Sequence, residues 1–508
     1  MKKIIILFLL LIAFFKDFAA VKPNSLFSTN GVLQQGVIVP VWGTANANEK
    51  VTIEFVGQSI TVTANEKGKW LIKLQPLKAG GPFTMIMKGE SNTITLNNIL
   101  VGEVWLCSGQ SNMGFPVRSI RPVGNYPKAE DVLKDAQNYP LIRQYSIPLK
   151  KSTSIPDKIE DAGGKWLVCD SITAKNFTAV GYIFGRELFK KLNVPIGIIN
   201  SSYGGTAIEN WISKDVLESF PELNSIFTNY EKAFNEFPQK AEEFIKNEQQ
   251  LLEKYRTDSA SAVAQKKELP RKPTTPMHPA ERGGPTGLYN TMIYPLEPFA
   301  FKGIVWYQGE ANGGRGLQYR TLLPALINSW RKDWNMGNFP FIIIQIPGWK
   351  GHTPELREAQ LLTRQNIQNT AMTVITDCDD TLDVHPGNKQ PVGERAALAA
   401  RVLAYNDKLE FEGPTYQSMK IEKDKIILTF THAEGLYAKE GDLKDFTIAS
   451  DDKIFVSAKA EIKNNKVIVY SDAIKKPTAV RLGWRLCPQV NLYNKAGLVA
   501  TAFRTDVQ

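Results

Sequence analysis

The chain reads as an α/β protein, a three-layer α/β/α domain flanked on both sides by β-sandwich-like regions, and three observations lead there. In the middle of the chain, Ile196 to Ile199 in "VPIGIINSSYGG" and Phe341 to Ile346 in "FPFIIIQIPG" are apolar at every position. Such runs suit strands buried on both faces of a parallel sheet. Between them lie helical patterns, "FTAVGYIFGRELFKKL" and "YRTLLPALINSWRKDW", and strands alternating with helices predict a layered α/β domain whose functional loops follow the strand C-termini. Toward both ends the texture changes to short alternating segments broken by Gly- or Asn-rich turns.

Taken in order, residues 1–20 read as a signal peptide. Two lysines precede an uncharged run from Ile4 to Phe15, and Ala19 and Ala20 follow. The run spans about twelve residues, short of the roughly 20 that cross a bilayer. Residues 21–100 carry "VIVPVWG", "KVTIEFVG" and "QSITVTANEKGKWLIKL", the pattern of an antiparallel β region. Residues 101–410 hold the α/β pattern, and "GIVWYQGE" and "TAMTVITDCDD" supply further strands that end in polar loops. Residues 221–284 interrupt it with the charge-rich helical excursion "YEKAFNEFPQKAEEFIKNEQQLLEKY", read as an insertion near the site with a solvated polar face. From residue 411 to 508 the β texture returns.

With 508 residues, more than one domain is expected. The net charge of +10 is spread among Asp and Glu with no long basic run, which argues against nucleic acid as a partner. Cys107, Cys169, Cys378 and Cys487 form no C-x-x-C pair, and none of the four histidines has a second at helical spacing, so no metal or redox centre is expected.

Four polar clusters sit where an α/β sheet places its chemistry. "VWLCSGQSNMGF" sets Ser111 in a turn behind an apolar run, although Met113 stands where a G-x-S-x-G elbow has its last glycine. "NSSYGGTAIENW" offers Gly204 and Gly205, which let backbone N–H groups approach a developing oxyanion. "GIVWYQGEAN" ends in Gln308, Glu310 and Asn312, whose amides would donate to the same oxyanion or to a sugar hydroxyl. "DCDDTLDVHPGNKQPVGER" puts His385 two residues after Asp383, ahead of a helix starting near Gln390. A carboxylate so placed can orient an imidazole that takes a serine proton.

Serine first, glycine and amide donors next and Asp-x-His last is one chain order of an SGNH-type hydrolase. The blocks "VWLCSGQSNM", "GIINSSYGGTAIENW", "GLYNTMIYPL", "GIVWYQGEAN" and "DVHPGNKQPVGER" also resemble, in order, those of the sialate O-acetylesterases. The resemblance implies an SGNH-hydrolase-like α/β/α domain needing no cofactor, with Ser111 as nucleophile, His385 as base and Asp383 as acid. Many SGNH enzymes carry the acid three residues before the histidine, which here is Leu382; Asp380 is a further candidate. The Ser111 N–H, Gly204 or Gly205, and Gln308 or Asn312 would form the oxyanion hole. The choice between the two amides stays open, because Ala311 stands where the usual G-x-N-D block has its asparagine.

The implied reaction is release of acetate from an O-acetylated sugar through an acetyl-serine, with O-acetylated sialic acid as substrate and acetylated xylan or another polysaccharide as the alternative. Gln110, Asn112, Glu209, Trp211 and Glu310, together with Trp349, are the candidates to line a sugar site, core packing being the competing role of each tryptophan. A carbohydrate-binding protein without catalysis is the reading of a different class. The mature chain is expected outside the cytoplasm, in the periplasm or beyond the cell.

Overall fold

A computed structural model describes residues 20–506 apart from Glu268 and Asp379. All of the expected signal peptide except Ala20 therefore lies outside the described residues. No helix among the described residues is long and apolar enough to cross a membrane.

The central sheet contains β1 (Thr93–Gly109), β2 (Ile142–Ser146), β3 (Trp166–Val168), β4 (Ile196–Ser202), β5 (Gly303–Tyr307), β6 (Phe341–Ile344) and β7 (Thr370–Thr373). Their order is β3-β2-β4-β1-β5-β6-β7, parallel except for the β2–β3 pair. From β1 the chain runs out to β2 and β3 on one side, returns to place β4 beside β1, and then crosses to the other side for β5, β6 and β7. Open α/β sheets bind ligands beyond the strand C-termini at such a change of direction.

Apolar residues at every position are explained by helices on both faces. Val104, Leu106, Ile304, Trp306, Phe341 and Ile343 pack into one core with Leu322, Leu326 and Trp330 of α3 (Gly316–Trp334) and Leu356 and Ala359 of α4 (Pro354–Asn366). Trp105, Cys107, Val305, Tyr307, Ile342 and Ile344 pack into the other with Val180, Phe184 and Leu188 of α1 (Ala179–Leu192) and Val392, Ala396 and Ala400 of α5 (Gln390–Tyr405). Burying a large apolar side chain contributes about 1.5–3 kcal/mol, so each alternate position along these strands supports its own layer.

The two flanking regions are joined to this frame. β1 is long because its first half pairs with Gly80–Lys88 and with Val32–Gln34, and its second half with β4 and β5. One strand thus crosses from the N-terminal β region into the central sheet without a break. Residues 221–284 contain α2 (Ser225–Ala264), 40 residues long and mostly solvent-facing, with Pro238 inside it. The C-terminal region holds two four-stranded sheets and one two-stranded sheet. Cys107 and Cys169 are buried free thiols, and Cys487 is a half-buried one.

Candidate active site

Ser111 opens a one-turn helix, Ser111–Gly114, directly after β1. The turn is tight because Gly109 adopts a φ of +137° with its Cα face against the Tyr307 carbonyl, 2.1 Å from where a Cβ would sit. Only glycine fits there. Gln110 donates its N–H to Tyr307 O at 3.0 Å, which fastens the turn to β5. Thr178, the N-cap of α1, donates to Met113 O at 2.5 Å and accepts from the Gly181 N–H at 3.2 Å, which fastens it to α1.

His385 comes from the loop between β7 and α5, and its Nε2 lies 2.7 Å from Ser111 Oγ. That loop is held at its base by Arg395, which donates to both Asp377 oxygens at 2.6 Å. Asp383 stands 3.7 Å from His385 Nδ1, beyond hydrogen-bond reach. Its Oδ1 instead accepts the His385 backbone N–H at 2.8 Å, and its Oδ2 accepts from Arg121 at 2.7 Å. Arg121 also donates to His385 O at 2.7 Å. Burial pushes the Asp383 carboxyl up, but the His385 N–H and the Arg121 guanidinium outweigh it and hold it below its usual value. Asp380 faces elsewhere and accepts the Leu382 N–H at 3.0 Å.

The expected oxyanion donors separate into two groups. Gly204 lies against Ser111, with 3.2 Å between its would-be Cβ and Ser111 Cβ. Ser111 begins a helix whose N-cap Gln110 supplies no side-chain bond, so first-turn N–H groups remain to receive charge. Gly205 turns away at φ +67°, its carbonyl accepting from Arg282 at 3.1 Å. Gln308 is fully buried, and its amide N–H groups go to Gln110 Oε1, Thr206 O and Asn312 Oδ1 at 3.2, 3.0 and 2.8 Å. Having no N–H left, Gln308 is a structural hub rather than an oxyanion donor. Asn312 Nδ2 makes one bond, to Glu209 Oε2 at 3.0 Å, which leaves it a second N–H.

The expected sugar contacts need larger corrections. Trp211 has no exposed surface; it packs edge-on against Trp306 and donates to Thr206 Oγ1 at 3.1 Å, so it is core. Asn112 is also fully buried. Its Nδ2 donates to Glu310 Oε1 at 2.6 Å and Val384 O at 2.9 Å, and its Oδ1 accepts from Lys389 at 2.5 Å. Glu310 Oε2 has no hydrogen-bond partner among the described residues. Gln110 Oε1 accepts from Gln308 Nε2 and the Ala311 N–H, both at 3.2 Å. Trp349 is half-buried against His352. Glu209, bound by Arg315 at 2.7 Å, does line a cleft of about 710 Å³ together with Gly205, Asn210, His278, Arg282 and Arg315.

Three charged residues of the site were not anticipated. Arg121 and Arg282 sit in loops without any pattern to mark them. Lys389 did carry a signal, as a lysine four residues after the candidate base, but a lone lysine before a helix reads as exposed. It is completely buried, its ammonium 4.9 and 5.4 Å from the ring centres of Phe115 and Tyr307. Burial pushes it down to about 7 against the opposing pull of Glu310.

Residues 275–400 match the family model described as carbohydrate esterase, sialic acid-specific acetylesterase. The chain is 31% identical to the sialate O-acetylesterase of Mus musculus over 455 residues, covering 82% of this chain and 79% of that one. It belongs to the sialate O-acetylesterase family. The Rattus norvegicus sialate O-acetylesterase is 30% identical over 458 residues. The crystal structure of a carbohydrate acetylesterase from Xanthomonas citri superposes with a TM-score of 0.78 at 32% identity, covering 96% of this chain and all of that one. As a sialate O-acetylesterase family member the protein is a carboxylic ester hydrolase, and the reading of a non-catalytic binding protein falls.

Proposed function

We propose that the protein is a serine esterase that removes acetyl groups from O-acetylated sialic acid. The observation that carries the serine mechanism is the 2.7 Å contact between Ser111 Oγ and His385 Nε2 at the C-terminal edge of the sheet. His385 takes the hydroxyl proton as Ser111 Oγ attacks the acetyl carbonyl. The tetrahedral oxyanion is received by the Ser111 and Gly204 N–H groups and by the remaining Asn312 N–H. Its collapse breaks the bond to the sugar oxygen, which leaves with the proton from His385. Water then attacks the acetyl-serine with His385 again as base, and acetate departs. Asp383 stabilises the imidazolium through space from 3.7 Å.

What supports an acidic sugar is the cleft that begins at Gly205, one residue from the glycine that touches Ser111. Arg282 and Arg315 are on its wall, and Glu209 answers only the second of them. A guanidinium is suited to a sugar carboxylate. The relatives from Mus musculus and Rattus norvegicus are named for sialate, which agrees with that chemistry. Export is proposed from the N-terminal residues alone.

The test is acetate release from O-acetylated sialic acid and from acetylated xylan by wild type and Ser111→Ala. Release from sialic acid, lost in the variant, is expected. Release from xylan alone keeps the mechanism and moves the substrate to a neutral polysaccharide. Full activity of Ser111→Ala overturns the serine reading.

A further inference from the structure

The buried cluster behind the nucleophile has no part in the steps above. Asn112 follows Ser111 in the chain, and Val384 precedes His385. The Asn112 amide, by donating to Val384 O at 2.9 Å, ties together the two loops whose side chains must meet. Its Nδ2 also donates to Glu310 Oε1 at 2.6 Å, in the turn after β5. An amide is held fast when acceptors face its NH2 and a partner that can only donate faces its oxygen. Here that partner is the Lys389 ammonium at 2.5 Å, fully buried and lying beside the rings of Phe115 and Tyr307.

We propose that Lys389 is a positioning residue for the esterase reaction: its ammonium fixes the orientation of Asn112, and Asn112 clamps the His385 loop to the Ser111 loop. A cation is suited to the place for two reasons. Protonated, it cannot accept a hydrogen bond, so it admits only the oxygen end of the amide, and its charge balances Glu310 on the far side of Asn112. An apolar side chain of the same length fills the space but leaves Glu310 uncompensated and the Asn112 oxygen buried without its donor, so the amide is held at one end only. The distance from His385 Nε2 to Ser111 Oγ then loses its lock, and turnover falls while the sugar cleft is untouched.

The inference rests on the Ser111–His385 reading, and the test separates the two. With nitrophenyl acetate as probe, kcat and KM are measured for wild type, Ser111→Ala, Lys389→Met, Asn112→Ala and the Lys389→Met, Asn112→Ala pair, each checked for folding by circular dichroism. Lys389→Met is expected to lower kcat about tenfold or more with KM within about threefold, and to cost less than about twofold further in the Asn112→Ala background. Wild-type kcat in Lys389→Met, a change confined to KM, or effects that multiply in the pair would each overturn the proposal. Should Lys389→Met not fold, Lys389→Gln, which removes the charge and can accept as well as donate, takes its place with the same expected loss; if neither folds, Lys389 serves folding and the proposal is lost. Turnover by Ser111→Ala refutes the serine reading itself, whereas an inactive Ser111→Ala beside an unimpaired Lys389→Met refutes only the role of Lys389.

Discussion

Replacing Asp383 by Asn tests how an acid acts on a histidine that it does not touch. The carboxylate is 3.7 Å from His385 Nδ1, and both side chains are more than a third exposed, at 35% and 38%. At that distance a unit charge pair is worth about 1 kcal/mol in bulk water and about 2 kcal/mol at half that dielectric. Solvent screening of so open a pair keeps the effect near this range. The asparagine oxygen still accepts one of the two donors, the His385 N–H or the Arg121 guanidinium, while its NH2 cannot accept the other, so the charge is lost together with one loop contact. A loss of 1–2 kcal/mol in transition-state stabilisation lowers kcat by about 5- to 30-fold. Steady-state acetate release at fixed pH, with the fold checked by thermal melting, measures it. A directly bonded carboxylate contributes far more, about 10⁴-fold in the serine proteases. A loss on that scale would refute the through-space account and mean that Asp383 closes on the imidazole during turnover; no loss would refute any role for its charge. Asp380→Asn serves as the control and is expected to leave kcat unchanged, since its carboxylate caps the Leu382 N–H.

Three further outcomes follow from the same geometry. Gln308→Ala removes a partner from Gln110, Thr206 O, Asn312 and the Tyr319 hydroxyl at once, and urea unfolding is expected to show a loss of about 3 kcal/mol or more; unchanged stability with only kcat reduced would restore Gln308 as an oxyanion donor. Gly109→Ala places a Cβ 2.1 Å from Tyr307 O at a φ of +137°, so its melting temperature should fall sharply, and a variant as stable as wild type would contradict the close approach of β1 and β5. His432 is bonded by Glu412 and Glu410, and the Glu412 hydrogen bond, foremost, raises its pKa above the usual 6.5 despite burial. Its stabilising contribution is therefore full below pH 6.5 and lost as pH rises through the raised value. The stability gap between wild type and His432→Gln should shrink as pH rises from 6 through the raised value; a gap that widens would reverse the sign of the linkage.

The sheet was legible where burial on both faces forces every residue to be apolar, as at Ile196–Ile199 and Phe341–Ile344, and the helices were legible from their period. Ser111, Gly204 and His385 were legible because each lies directly behind such a strand or before such a helix. What the sequence hides is the direction a polar side chain takes once buried. Gln308, Asn112 and Trp211 look like ligands of a sugar in one dimension, yet each has its polar atoms matched inside the protein. Asp383 is the opposite case: its spacing from His385 fits a bonded pair, but Arg121, 262 residues away in the chain, and the His385 backbone N–H compete for its oxygens.

The flanking β regions bear on the site through such long-range ties. Tyr493, in the C-terminal region, donates to Asp377 Oδ2 at 3.1 Å, at the base of the loop that presents His385. Arg504 makes a two-pronged pair with Glu358 of α4 at 2.9 and 3.1 Å. Two residues further on, Gln360 donates to Gln308 O at 3.1 Å and accepts the Ile346 N–H at 3.1 Å. At the other end, the strand that delivers Ser111 is held by the N-terminal region over its first half. Each element that brings a reacting group to the sheet edge is thus braced by a β region lying outside the α/β layers. The proposed reaction depends on a 2.7 Å contact between two loops and would gain from such bracing, because a displacement of even 1 Å is costly in rate. On this argument the β regions need no sugar of their own to matter to catalysis: loosening Tyr493 or Arg504 should lower turnover before it alters what the cleft binds.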